Sequence, residues 1–203
     1  MDGSAFCGAF FFTYLWSGAL EFLKKGLKID MKTKYITQAA ALAALYVVLT
    51  MLANALGLAS NAIQVRFSEA LTILPFFTNA AVPGLFVGCL LSNILCGGVI
   101  WDIIFGSVAT LLGALGTYAI RKKLPDLCAA IPPIIANTLI IPFVLVYAYG
   151  PEGGITDGIP FLMLTVGAGE VISCGILGIA LLKLLKPHRN VIFGDQSELK
   201  TNK

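Results

Sequence analysis

Charge is scarce in this chain. It has 14 Lys and Arg and 11 Asp and Glu in 203 residues, 12% of the total, and one histidine, His188, in the polar tail. A soluble domain of this length could not hydrate its surface with so few charges, whereas a membrane bundle can, because lipid covers most of it. With a lone tail histidine, no Ser-His, Cys-His or HExxH arrangement can be assembled. No GxxxxGK[ST] phosphate loop is present, which removes that route to ATP. The five cysteines (Cys7, Cys89, Cys96, Cys128, Cys174) form no CxxC pair, and most lie inside apolar stretches. They read as small core residues, so neither a metal nor another cofactor is expected.

What the chain has is apolar length: 58% hydrophobic residues and a mean hydropathy of +0.87. Its net charge of +3 is no nucleic-acid signal, because the basic residues sit at the ends of apolar runs. Residues 1–30 lack a basic stretch before their apolar core and carry Lys24, Lys25 and Lys28 after it, the reverse of a secretory signal. They read as an N-terminal extension, either an interfacial leader or sequence added by an early start, with Met31, Lys32 and Lys34 as a natural beginning. The first spanning segment is expected over Ile36 to Leu58. Ala70 to Cys96 is broken by Pro75 and Pro83-Gly84, and Trp101 to Ile120 ends in Arg121-Lys122-Lys123. If both basic clusters are cytoplasmic, an even number of crossings separates them. Ala70 to Cys96 must then cross twice, turning near Thr78-Asn79-Ala80. Leu127 to Tyr149 and Ile159 to Leu185 complete the expectation: an all-α integral membrane protein of six transmembrane helices over residues 31–186, both termini cytoplasmic. Residues 187–203 read as a solvated cytoplasmic tail.

Glu170 stands near the middle of the last apolar run. A carboxylate there costs about 2.5–3.5 kcal/mol on insertion scales, so it calls for a partner or a function. On the expected topology Arg66, Glu69, Asn93, Trp101, Asp102 and Asn137 fall in the outer half of the membrane with it, as a pocket opening outward. Each has a structural alternative. Arg66 and Glu69 can pair along one helical face. Trp101, with Tyr147 and Tyr149, can belong to an aromatic belt. Asp102 can cap its helix, and Asn93 and Asn137 can be interhelical hydrogen-bond glue. The pairs Ala39/Ala43 and Ala40/Ala44 give the first helix a flat face, and Gly84-xxx-Gly88 reads as internal packing.

The stretch Ile63 to Pro75, containing VRFSEALTILP, then Ala81-Val82-Pro83-Gly84-Leu85-Phe86 and Gly98 to Gly106 with Trp101-Asp102, resembles the queuosine-precursor transporter (QueT) family. The likeness runs from about Met31 to Lys186. It implies the substrate-binding (S) subunit of an energy-coupling factor importer in the bacterial plasma membrane. Such a subunit works with a transmembrane coupling (T) subunit and two ATPase (A) subunits. Ala40 and Ala44 match the face that meets the coupling subunit, and the implied cargo is a 7-deazaguanine: the aminomethyl or cyano precursor, or queuine. On this reading Glu170 accepts the adjacent N–H donors of the guanine-like edge, and Asn137 and Asn93 meet ring polar groups. Trp101 stacks on the ring, and an aminomethyl cation goes to Asp102 or Glu69, with Arg66 steadying a carboxylate. The alternatives are a vitamin-specific S subunit, a stand-alone proton-coupled carrier, and a membrane enzyme using Glu170 and Asp102.

Overall fold

A computed structural model describes residues 31–58, 65–149 and 158–193. By internal contacts the chain divides into Met1–Lys34 and Tyr35–Lys203. Of the first unit, residues 31–34 are described, the opening turn of a helix; the fold and the site belong to the second. The expected extension 1–30 lies outside the described residues, as does the tail beyond 193.

Among the described residues every regular element is helical. They are α1 (Met31–Ala55), a 3₁₀ helix (Phe67–Phe76), α2 (Ala81–Leu95) and α3 (Ile100–Ile120). A 3₁₀ turn (Asp126–Ala130) leads into α4 (Ile131–Tyr149). Last come α5 (Ile159–Glu170), a π-helical stretch (Val171–Gly178) and α6 (Ile179–Leu185), which run on as one apolar helix to His188. Among the described residues four helices are long and apolar enough to cross a membrane: Thr33–Ala55, Ile100–Ile120, Asp126–Tyr147 and Ile159–His188. Phe67–Phe76 and Ala81–Leu95 are shorter apolar helices. At ~2.0 Å and ~1.5 Å per residue each spans about 20 Å, against a hydrocarbon core of ~30 Å. The chain turns between them at residues 77–80, where Thr78-Asn79-Ala80 led us to expect it.

Helix contacts follow the small residues. Cβ atoms added at Gly84 and Gly88 would come 2.6 Å from the Ala39 carbonyl oxygen and 2.8 Å from the Tyr46 Cβ, so α2 lies directly against α1. This uses the Ala39/Ala43 face. Ala40 and Ala44 lie on the other side and are exposed, in line with Ile36 and Val48. α3 meets α4 where Gly113 and Gly116 receive Pro133 and Pro132, with added Cβ atoms only 2.7 and 2.5 Å away.

The two longest departures from α geometry pack against each other: the 3₁₀ helix Phe67–Phe76 against the π stretch. Residues 68–75 of the former are all buried. Irregular backbone at membrane depth is tolerated where protein, not lipid, surrounds it. Pro75 lies inside the 3₁₀ helix and has no N–H to donate, so one bond back to the preceding turn is missing there. The last described residues depart from the expected solvated tail. Arg189–Phe193 is a short helix whose Phe193 is buried, stacks on Phe77 at 5.4 Å and accepts a hydrogen bond at its carbonyl from Gln38. A buried aromatic pair outweighs the polar character of its neighbours there.

Candidate functional site: a carboxylate chamber and a vestibule

Glu69 on the 3₁₀ helix, Asn137 on α4 and Glu170 at the end of α5 meet in the interior, all buried. The Asn137 Nδ2 amine donates to both carboxylates, at 3.3 Å to Glu69 Oε2 and 2.9 Å to Glu170 Oε1. Both hydrogens of one amide are thus spent on two acids. Tyr46 of α1 donates its hydroxyl to Glu69 Oε1. Cys174, one turn beyond Glu170, donates its thiol at 3.1 Å to Glu170 Oε2 and lies 3.3 Å from the Glu69 carbonyl oxygen. Thr72 closes the group, donating to the Glu69 carbonyl at 2.6 Å and lying 3.4 Å from Cys174 Sγ. All four carboxylate oxygens therefore carry a protein donor. The π stretch begins at Val171, so the winding changes directly after Glu170; such bulges are frequent at functional sites.

A cavity of about 20 Å³ adjoins these acids, lined by Arg66, Glu69, Gly106, Thr110, Asn137, Ile141, Val166 and Glu170. That is room for about one water molecule. A larger cavity of about 150 Å³ is lined by Thr50, Ala53, Asn54, Arg66, Asn93, Cys96, Gly97, Gly98 and Asp102. Arg66 lines both.

The larger cavity, the vestibule, is built from two helix ends of the same design. α1 finishes with Gly57 at φ +70°, its N–H on the Asn54 carbonyl and that of Leu58 on Ala53. α2 finishes with Gly97 at φ +73°, its N–H on Ile94 and that of Gly98 on Asn93. Both are Schellman turns, in which glycine takes the left-handed conformation at little cost. They bring Ala53, Asn54, Asn93 and Gly98 to one cavity.

The predicted residues are thus distributed as follows. Glu69, Glu170 and Asn137 form one hydrogen-bonded cluster; Asn93 and Asp102 belong to the vestibule; Arg66 lies between. Among the described residues the ion pair is Lys186–Asp126, so Arg66 and Glu69 do not form the pair that their spacing allows. Trp101 is 54% exposed, stacks on Phe105 and lines neither cavity. Asn93 Nδ2 lies 3.6 Å from Cys89 Sγ, which also receives Thr110 at 3.4 Å. Tyr46, Thr72 and Cys174 were not anticipated. Only Cys174 carried a sequence signal, its position four residues after Glu170 on the same helical face.

The sulfur and two carboxylates of Cys174, Glu69 and Glu170 offer ligand atoms within 4.8 Å of one another. The space among them is already filled by donors: Asn137, Tyr46 and the thiol itself. The arrangement fits an acceptor for N–H groups better than a metal centre.

No solved structure matches the chain. A curated relative, the queuosine precursor transporter QueT of Lactococcus lactis subsp. cremoris (strain MG1363), is 38% identical over 82 residues, 40% of this chain. The match spans about half of that relative's length, 47%. The sequence pattern of the family described as QueT transporter matches residues 36–187, which takes in the residues lining both cavities and nearly the whole of the six apolar helices among the described residues. Relative and family alike are transporters, not enzymes. The chain belongs to the QueT transporter family.

Proposed function

We propose that this protein is the substrate-capture (S) subunit of an energy-coupling factor importer, taking up a queuosine precursor of the 7-deazaguanine class. It would lie in the bacterial plasma membrane with six crossings and both termini cytoplasmic, Phe67–Phe76 and Ala81–Leu95 supplying the two short ones. Residues 31–186 form the membrane domain on this reading. The relative's printed name supports the cargo class.

One observation carries the chemistry: a single NH₂ group, that of Asn137, bridges two buried carboxylates. A guanine-like edge presents an exocyclic amine beside a ring N–H, the same donors in a flat row. The ring occupies the 150 Å³ vestibule, and its amine edge displaces Asn137 and the water-sized space at Glu170 and Glu69. Asn137, released from one acid, turns its amide to the ring, and Asn93 meets the ring from the vestibule side. Arg66, lining both cavities, steadies the acids. Uncompensated acids reject cargos without donors on that edge, because a buried acceptor left unpaired costs about 1–3 kcal/mol.

The exposed Ala40 and Ala44 leave a flat strip on α1, on the side away from the α2 seam. It is the surface that would meet the coupling subunit, and two ATPase subunits would then supply the energy.

The test is transport in proteoliposomes. Radiolabelled aminomethyl-deazaguanine should accumulate only when this chain is reconstituted with coupling and ATPase subunits and ATP is supplied. Accumulation by this chain alone, driven by a proton gradient and indifferent to ATP, would overturn the subunit assignment in favour of a stand-alone carrier.

A further inference from the structure

Arg189–Phe193 follows the exposed Lys186 and His188, yet it folds back onto the bundle as a short helix. Phe193 joins the main apolar core, 8% exposed, with its ring stacked on Phe77. Phe77 in turn meets Phe76 edge-on at 5.7 Å. Gln38 of α1 uses both ends of one amide there. Its Nε2 donates to the Phe193 carbonyl at 3.3 Å, and its Oε1 accepts from the Thr78 hydroxyl at 3.3 Å. Thr78 Oγ1 also accepts from the Ala80 N–H, which fixes the turn between the two short helices. The C-terminal helix thus fastens that turn and α1 together.

What it fastens is the element that carries Glu69. The 3₁₀ helix Phe67–Phe76 lies along α1, pinned to it at both ends. At one end Tyr46 donates to Glu69 and Thr50 to Ser68 at 2.8 Å; just beyond the other, Thr78 donates to Gln38. Gln38, Tyr46 and Thr50 lie on one side of α1, at spacings of eight and four. From Glu69 to Phe77 such a helix measures about 16 Å, at ~2.0 Å per residue. It is weakest near Phe77, because Pro75 leaves its last turn short of a bond. The fastening there comes instead from Gln38 and Phe193. A helix of five residues is not stable by itself, so Arg189–Phe193 persists only while Phe193 is docked. An element held through one residue can exchange between docked and undocked states by local opening. On the proposed topology it lies on the cytoplasmic side, where cargo must leave. Gln38 stands two residues before Ala40, on the helix whose exposed strip would meet the coupling subunit.

We propose that Arg189–Phe193 is a cargo latch. Docked, it holds the inner end of the 3₁₀ helix and keeps Glu69 in register with Asn137 and Glu170, so cargo is retained. Undocked, it frees that end, and cargo leaves. The proposal rests on the substrate-capture reading above and adds to it a release step at the cytoplasmic end. Phe193 and Gln38 are positioning residues, since neither lines a cavity.

The experiment follows release of radiolabelled aminomethyl-deazaguanine from the detergent-purified full chain after a chase with unlabelled ligand, with melting curves and circular dichroism as checks on folding. Phe193→Ala should speed release at least ~10-fold with association held within ~3-fold, because such changes fall mainly on the off-rate. Phe193→Leu, which still fills the core, should stay within ~3-fold of wild type in both rates. A reducible bis-methanethiosulfonate link between Phe77→Cys and Phe193→Cys gives a second reading, with the single-cysteine proteins as controls. Reduced, the double variant should release as fast as Phe193→Ala; linked, it should return to the wild-type rate or slower. Release unchanged in Phe193→Ala overturns the latch, and so does linkage that leaves the rate of the reduced form unaltered. Association and release altered alike also overturn it, assigning Phe193 to stability alone. All three results leave the substrate-capture reading intact. If folded wild type binds no deazaguanine, that reading falls and the latch with it.

Discussion

The inner chamber and the vestibule solve opposite problems with the same kind of residue. In the chamber, Glu69 and Glu170 are clothed: Tyr46, Asn137 and Cys174 give every carboxylate oxygen a donor. In the vestibule, Asp102 is buried to the same degree yet keeps a bare oxygen. The backbone differs too. The chamber acids ride on a 3₁₀ helix and on the last turn before a π stretch, whereas the vestibule is framed by regular α-helices closed with Schellman glycines. A clothed acid keeps its geometry without cargo, but the cargo must displace a protein donor to use it. An acid oxygen without a protein donor needs no such displacement. On the proposed function, the two regions would engage different parts of one cargo.

That division can be broken most sharply at Asn137. Asn137→Ala removes the donor shared by the two chamber acids and leaves an oxygen of each unpaired. We expect cargo affinity to fall about 100-fold and the thermal midpoint in detergent to drop by roughly 5 °C, at ~1–3 kcal/mol for each exposed defect. Calorimetry and a melting curve would show it; an unchanged midpoint would mean that the bridge is not part of the fold's support. Tyr46→Phe takes one donor from Glu69 and spares the α1–α2 seam. A hydrogen bond to a charged group contributes about 1.5–3 kcal/mol, so affinity should weaken by roughly tenfold or more, with helix content by circular dichroism intact. Gly106→Ala places a methyl 3.2 Å from Asn93 Nδ2, between the two regions. A three- to tenfold loss of affinity is expected, on the order of 1 kcal/mol. Trp101→Ala should matter least. The indole lies outside both cavities, and affinity should stay within about twofold, as is usual for a surface site. A tenfold loss would restore ring stacking to Trp101 and move the vestibule outward.

Much of the fold was legible because charge is so rare in the sequence. Basic residues at the ends of apolar runs marked the helices within a few residues of Ile100–Ile120 and Ile159–His188, and Thr78-Asn79-Ala80 marked the turn. The 3₁₀ and π windings were not legible. In a segment apolar on every face, periodicity no longer separates three, four or five residues per hydrogen-bonded turn. The site divided in the same way. Glu170, Glu69 and Asn137 could be found because each is costly in lipid, and depth alone brought them to one half of the bundle. Tyr46 and Thr72 are ordinary in an apolar helix, and only the fold shows them serving Glu69. Trp101 illustrates the converse: an aromatic residue at a helix end fits a belt or a stacking platform equally well in sequence, and the orientation of α3 turns it outward.

The central claim is that Glu170 and its bridged partner recognise the guanine-like edge. Its most direct test is titration of detergent-purified wild type and Glu170→Gln with aminomethyl-deazaguanine and queuine, with guanine as control. The account predicts tight binding of at least one deazaguanine by wild type and a loss of about 100-fold or more in the variant. Unchanged binding by Glu170→Gln would contradict it, and so would a well-folded wild type that binds neither ligand.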